Sequence, residues 1–290
     1  MEGIVTVLKP PGMSSSDAVV DVRKIFETRR VGHLGTLDPE AAGVLPVCVG
    51  RAVRLFDYLV DKRKEYLAEI AFGIATDTQD AQGTVTERSD RIVTREQIEA
   101  VLPRFLGEGE QVAPMYSALK YNGKKLYDLA RKGAEIPEKR RKVLIDTLAL
   151  GEQTDQNRYL LRIGCSRGTY VRTLCADLGA AVGVPAHMAF LLRTASGAFT
   201  LSDAVSIAQL AERKANGTLE TALTSCEDAL AFLPRIDLAA DRKKPALNGL
   251  ETTVYDGPKG NVRLYADGAF LGIGCAENGS VRLTVNLFTE

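Results

Sequence analysis

The chain has 290 residues, 45% of them hydrophobic, with 37 acidic and 37 basic side chains. This length holds one large domain and a small one, and the composition is ordinary for a soluble globular protein. No apolar run approaches the roughly 20 residues of a membrane-spanning helix, and Met1-Glu2-Gly3 enters an apolar stretch with no basic segment before it, so a secretory signal is not expected and the expected location is cytoplasmic.

In chain order, residues 4–8 read as a strand closed by Lys9-Pro10-Pro11-Gly12. Ser16 is placed to cap a helix over 17–27, with Val19, Val20, Val22 and Phe26 as its buried face. A glycine-rich loop spans 31–43, 44–49 is a second strand, and 51–60 has helical character. Alternation predicts a strand over 66–72, with 83–87 as a hairpin-like neighbour. Thr94 and Gln97 form a capping-box pattern for a helix ending near Phe105. A short helix is predicted at 126–132, two strands at 143–150 and 159–165, a helix at 170–181 and a strand after His187. Helical stretches at 202–214 and 219–232 precede Leu233-Pro234. Beyond them the texture changes to short strands with Gly and Asp turns, at 252–255, 262–265, 269–274 and 281–287. The class is α+β, without the regular alternation of a parallel sheet.

Five cysteines (Cys48, Cys165, Cys175, Cys226 and Cys275) are odd in number, widely spread and without a CxxC pair. Reduced, mostly buried thiols are expected, not a disulfide framework or a zinc site. With only His33 and His187, a histidine-based metal centre is not expected either. The zero net charge speaks against a nucleic-acid partner, but its distribution does not. Between Lys120 and Lys142 nine basic residues face three acidic ones, a local excess of six. Such a cluster can neutralise phosphates, or it can be a solvated helical face.

Gly32-His33-Leu34-Gly35-Thr36-Leu37-Asp38-Pro39, continuing to Gly43-Val44-Leu45-Pro46, is the densest signal. Its glycines and prolines specify a tight loop, and an acid after the apolar Leu37 is placed to project into a cleft. Alone, an Asp-Pro step is a turn, so local chemistry only nominates Asp38. By the same standard Tyr66 is a half-buried aromatic at a strand edge, Arg172 a surface ion pair, and Asp77 and Asp80 turn formers, not a metal pair.

These segments combine with Lys9-Pro10-Pro11-Gly12-Met13-Ser14-Ser15, Lys64-Glu65-Tyr66, Thr76-Asp77-Thr78-Gln79-Asp80 with Gly83, Met115-Tyr116-Ser117-Ala118-Leu119-Lys120, Gly123-Lys124-Lys125-Leu126-Tyr127 and Cys165-Ser166-Arg167-Gly168-Thr169-Tyr170-Val171-Arg172-Thr173. Their order resembles that of TruB-type tRNA pseudouridine-55 synthases, across most of the chain before residue 200. Ala42 departs from the family, which often has Ser or Thr there.

The resemblance implies a pseudouridine-synthase fold: a mixed, largely antiparallel sheet with flanking helices and a basic insertion. It divides the chain into a catalytic domain, 1–234, whose insertion at 120–142 clamps the T-arm of tRNA, and a small β-rich, PUA-like RNA-binding domain, 235–290. The implied activity is isomerisation of uridine 55 in the tRNA T-loop. That reaction breaks the N1–C1′ bond, turns the uracil and joins C5 to C1′, with no net redox change, so no cofactor or metal is expected. The family pattern makes Asp38 the nucleophile, Arg172 its partner and Tyr66 a stacking group and candidate base. Tyr170 and Leu191 would line the uracil pocket, and His33 would act within the rearranged T-loop. Lys9, Lys120, Lys124, Lys125 and Arg131 would bind substrate, with Tyr121 and Tyr127 available for stacking. A flipped-out nucleotide is required. Related synthases that work in guide-RNA particles lack the basic insertion, so a monomer without an obligate protein partner is expected. The competing readings are a nucleoside or sugar hydrolase, for which no second carboxylate is evident, and a non-catalytic RNA-binding protein.

Overall fold

Gly3–Lys9 forms the first strand (β1), with six of its seven residues buried. A strand covered on both faces shows such a nearly continuous apolar run, and β1 lies inside a sheet. The computed structural model describes residues 1–60, 62–114, 120–121, 124–125, 140–254 and 257–289. The next strands are β2 (Val31–His33), β3 (Ala42–Val49), β4 (Lys64–Phe72), β5 (Ile74–Thr76), β6 (Val85–Arg88) and β7 (Gly107–Val112). After the short β8 (Lys120–Tyr121) and β9 (Lys124–Lys125) come β10 (Arg140–Asp155), β11 (Arg158–Cys165), β12 (Ala186–Ser196), β13 (Phe199–Thr200) and β14 (Leu223–Thr224).

Ten of these strands make one sheet in the order β14-β1-β3-β12-β4-β11-β10-β7, with β2 on β3 and β13 on β12. Its pairings are antiparallel except where β12 meets β3, parallel at Leu192–Ala42 and Arg193–Gly43. There Gly43 has φ +112°, and a Cβ would lie 2.2 Å from the Arg193 carbonyl oxygen. Only glycine lets the two strands come this close.

Among the described residues the helices are α1 (Ser15–Ile25), α2 (Phe56–Leu59), α3 (Arg95–Glu99), α4 (Val171–Val182), α5 (Ile207–Ala215), α6 (Cys226–Ala229) and α7 (Lys243–Leu247). One core packs Leu174, Cys175 and Leu178 of α4 and Ile98 of α3 against Ile70, Leu161, Ile163 and Leu191 of the sheet. A second joins Ala18, Val19 and Val22 of α1 and Leu210 of α5 to Val5, Val7, Leu45 and Val47. Residues after Pro234 form a second sheet from β15 (Arg235–Leu238), β16 (Thr252–Thr253), β17 (Gly260–Ala266), β18 (Ala269–Glu277) and β19 (Ser280–Asn286), in the order β15-β17-β18-β19-β16.

Several expectations are corrected. The first helix starts two residues earlier than predicted, because Ser14 forms a reciprocal capping box with Asp17, which stands at its N3 position; a cap at Ser16 would have Val19 there. Val20 points outward, 43% exposed. The strand Val85–Arg88 pairs with β5, not with β4, whose neighbours are β11 and β12. The Thr94–Gln97 capping box forms, but its helix gives way to a 3-10 turn at Leu102–Phe105, where Pro103 removes a donor. The stretch 219–232 is not one helix: β14 crosses it to pair with β1, and Ser225 caps the short α6 behind it. The helix predicted at 126–132 lies outside the described residues. Cys48, Cys165, Cys175 and Cys226 are buried and Cys275 is partly so, all as free thiols.

Candidate active site

The loop between β2 and β3 carries Asp38, and its backbone is held at every residue from 35 to 39. Arg193 donates through Nη2 to the Gly35 carbonyl at 3.3 Å and through Nη1 to that of Thr36 at 3.2 Å. The Ser15 hydroxyl donates to the Leu37 carbonyl at 2.9 Å and accepts the Leu37 N–H at 2.8 Å. The Asp38 carbonyl accepts the Ala41 N–H at 3.1 Å. The Pro39 carbonyl accepts Lys9 Nζ at 2.9 Å and the Gly12 N–H at 3.0 Å. Five successive carbonyls are thus satisfied without regular secondary structure, and this rigidifies the loop. Leu37 anchors it in the main core, and the side chain of Asp38 emerges 40% exposed.

Arg172 approaches from the first turn of α4. Gln111 on β7 fixes that helix start, accepting the Tyr170 N–H at 2.9 Å and donating to the Tyr170 carbonyl at 3.2 Å. The Arg172 side chain is only 6% exposed. Its Nε lies 3.1 Å from Asp38 Oδ2, and its Nη1 lies 3.4 Å from Asp80 Oδ2 and 3.2 Å from the Thr78 carbonyl. Asp80 is itself oriented by the Thr78 hydroxyl at 2.6 Å and the Gln82 N–H at 3.1 Å. A buried guanidinium between two carboxylates holds the outer one in a fixed direction.

Tyr66 sits half-buried on β4 against the main core. Burial pushes its phenol above the usual tyrosine value, and the nearby Arg193 cation works against that rise. Leu191 is buried in the same core, and Tyr170 is half-buried with the Arg141 guanidinium 6.0 Å from its ring centre. His33 accepts the Gly35 N–H at Nδ1, 3.3 Å away, and burial with the Arg193 charge lowers its pKa. His187 is elsewhere, its Nδ1 2.9 Å from the Ile74 carbonyl. Among the described residues no group of three or more His, Cys, Asp or Glu is placed to hold a metal ion.

The structure therefore brings Asp38, Arg172, Tyr66 and Leu191 to one region of the sheet and the start of α4. Lys9 is corrected: it is fully buried, and its ammonium donates to the carbonyls of Pro10, Met13 and Pro39, so it braces the loop and does not face a substrate. The side chains of Lys120, Tyr121, Lys124 and Lys125, and all of Tyr127 and Arg131, lie outside the described residues. Sequence reasoning missed Ser15, Gln111 and Arg193, and it saw only the turn-forming half of Asp80. Strand alternation offered one signal, since Arg193 stands two residues from Leu191 and shares its face.

Residues 23–171 match the family model of the TruB family pseudouridylate synthase N-terminal domain, and residues 172–231 match that of the tRNA pseudouridylate synthase B C-terminal domain. A tRNA pseudouridine synthase B of Bacillus cytotoxicus is 45% identical over 257 residues, covering 86% of this chain and 84% of that protein. One from Pelotomaculum thermopropionicum is 44% identical over 254 residues, covering 86% and 80%. Among solved structures, a chain of a Cbf5-Nop10-Gar1 complex superposes with a TM-score of 0.72 at 26% identity, covering 94% of this chain and 78% of its own.

Proposed function

The chain belongs to the TruB family of pseudouridylate synthases, and from that membership we propose that it isomerises uridine 55 in the T-loop of tRNA to pseudouridine, without a cofactor. In this reading Asp38 is the nucleophile, attacking a flipped-out nucleotide at the base or the sugar. The N1–C1′ bond breaks, the uracil turns, C5 bonds to C1′, the bond to Asp38 breaks to restore its carboxylate, and the proton displaced from C5 leaves while N1 gains one. Tyr66 is the candidate for taking the C5 proton, its ring face lying against the base. Arg172 pairs with the carboxylate and directs it. Leu191 and Tyr170 line the uracil pocket, and His33 acts on the rearranged loop.

The observation that carries this reading is the Asp38–Arg172 pair. A nearly buried guanidinium holds a carboxylate that stays 40% exposed, an arrangement suited to a nucleophile that meets a large substrate from solvent. The reading extends to a catalytic domain over 1–234, a PUA-like RNA-binding domain over 235–290, a T-arm clamp at 120–142 and a monomer that needs no protein partner.

Its test is Asp38→Asn assayed on tRNA for pseudouridine and for binding. Turnover is expected to fall below detection while tRNA affinity changes less than about threefold. Substantial pseudouridine from the variant would overturn the nucleophile. Free uracil in place of pseudouridine from the wild-type protein would make it a hydrolase.

A further inference from the structure

Arg193 takes no part in the chemistry proposed above, yet it is the largest fully buried side chain of the described residues, 1% exposed. Burying a guanidinium costs several kcal/mol unless its donors are satisfied. Here the fork goes to three backbone carbonyls: Nε to Val44 at 2.7 Å, Nη1 to Thr36 and Nη2 to Gly35. Two of these acceptors immediately precede Leu37-Asp38, and the third lies in β3, where the loop returns to the sheet.

The same residue stands directly opposite Tyr66 in the β12–β4 register. Directly opposed residues of an antiparallel pair emerge on one face as close neighbours. Burial raises the Tyr66 phenol, and the nearby charge of Arg193 opposes that rise. One planar group therefore bonds the backbone that carries Asp38 while its residue shares a sheet face with Tyr66. Lysine, with a single ammonium, cannot reproduce a fork spread over several acceptors.

We propose that Arg193 is a positioning residue that couples the Tyr66 side chain to the loop bearing Asp38, so that the two keep one relative geometry when a nucleotide enters. This rests on the roles proposed above for Asp38 and Tyr66. The demand is physical: productive constellations tolerate about 0.5 Å of error, and a misplacement of about 1 Å costs on the order of a hundredfold in rate.

The test is a double-mutant cycle in single-turnover pseudouridine formation at saturating tRNA, using Arg193→Lys, Tyr66→Phe and the pair, with tRNA affinity and thermal unfolding measured alongside. Arg193→Lys is expected to slow the rate at least about tenfold with tRNA affinity within about twofold, and to add less than about threefold to Tyr66→Phe. Effects that multiply fully, or an Arg193→Lys rate within about twofold of wild type, overturn the coupling.

A second measurement does not depend on how well a substituted buried arginine folds. In Tyr66→Phe the Leu37 amide, which donates to the Ser15 hydroxyl, should exchange its hydrogen at least about threefold faster than in wild type. Unchanged exchange overturns the proposal. Wild-type protein that makes no pseudouridine would sink the function itself, whereas an active wild type with an indifferent Arg193→Lys sinks only the coupling.

Discussion

Lys9 buries a positive charge beneath the Asp38 loop, and desolvation is the main reason its pKa falls from 10.5 to about 8, against the opposing pull of Glu40 and Asp38. Between those two values the unfolded chain still holds a proton that the folded chain has released. Stability contributed by this site therefore rises with pH across that window. Denaturant unfolding of wild type and Lys9→Met from about pH 7 to about pH 10 checks this, since other alkaline effects cancel in the difference. The gap should widen in favour of the wild type as pH rises; a narrowing gap would contradict the assignment. The residue types of this site and, through the family resemblance, the Asp38–Arg172 pair were legible in the sequence, but the partners of Lys9 and Arg193 were not. Lys9 read as a substrate-binding residue and Arg193 was not singled out, because burial and hydrogen-bond direction depend on segments apart in sequence, 30 positions for Lys9 and Pro39 and 149 for Arg193 and Val44.

At the scale of elements, the parallel contact between β12 and β3 decides where the loop sits. Gly43 lets it form, and any side chain there meets Arg193 backbone atoms at 2.2 and 2.8 Å with φ already in the left-handed region. Gly43→Ala is expected to lower unfolding stability by more than about 3 kcal/mol, read by urea denaturation; a loss under about 1 kcal/mol would show that the strands can part cheaply. Periodicity identified β1, β4, β10, β11 and β12 because their alternation or apolar runs are local properties. It misread the partner of β6 and joined residues 219–232 into one helix. Strand pairing and the interruption by β14 are settled by neighbours elsewhere in the chain, not by propensity.

Across the whole molecule, the second sheet has its own core, including Ile236, Val262, Leu264 and Val281, and it also shares one with the first. Ile273 and Leu287 pack with Ile4, Cys48 and Leu55, and Arg51 pairs with Glu2 while donating to the Phe288 carbonyl. The two sheets therefore meet through a contact that mixes apolar packing with side-chain-to-backbone hydrogen bonding. Electrostatics operate at the same scale: the chain is neutral overall, and its basic excess is concentrated in one segment. Under the proposed reading, replacing Lys124, Lys125, Arg131 and Lys132 with Ala should weaken tRNA binding and flatten the dependence of log affinity on log salt by about two to four counterions. An unchanged slope would remove the clamp from the account.

By itself, the sequence determined the α+β class, most strands of the main sheet, and the candidates Asp38, Tyr66 and Arg172. The class and strands follow from local periodicity, Asp38 is nominated by its loop, and Tyr66 and Arg172 enter through the resemblance of their motifs to the TruB family. The tertiary structure alone decided that Arg172 lies between Asp38 and Asp80, that Lys9 turns inward, and that Ser15 and Arg193 hold the loop. Those outcomes depend on which backbone carbonyls and carboxylates are brought within hydrogen-bond reach of a buried cation or hydroxyl, and only the packing of distant segments sets that.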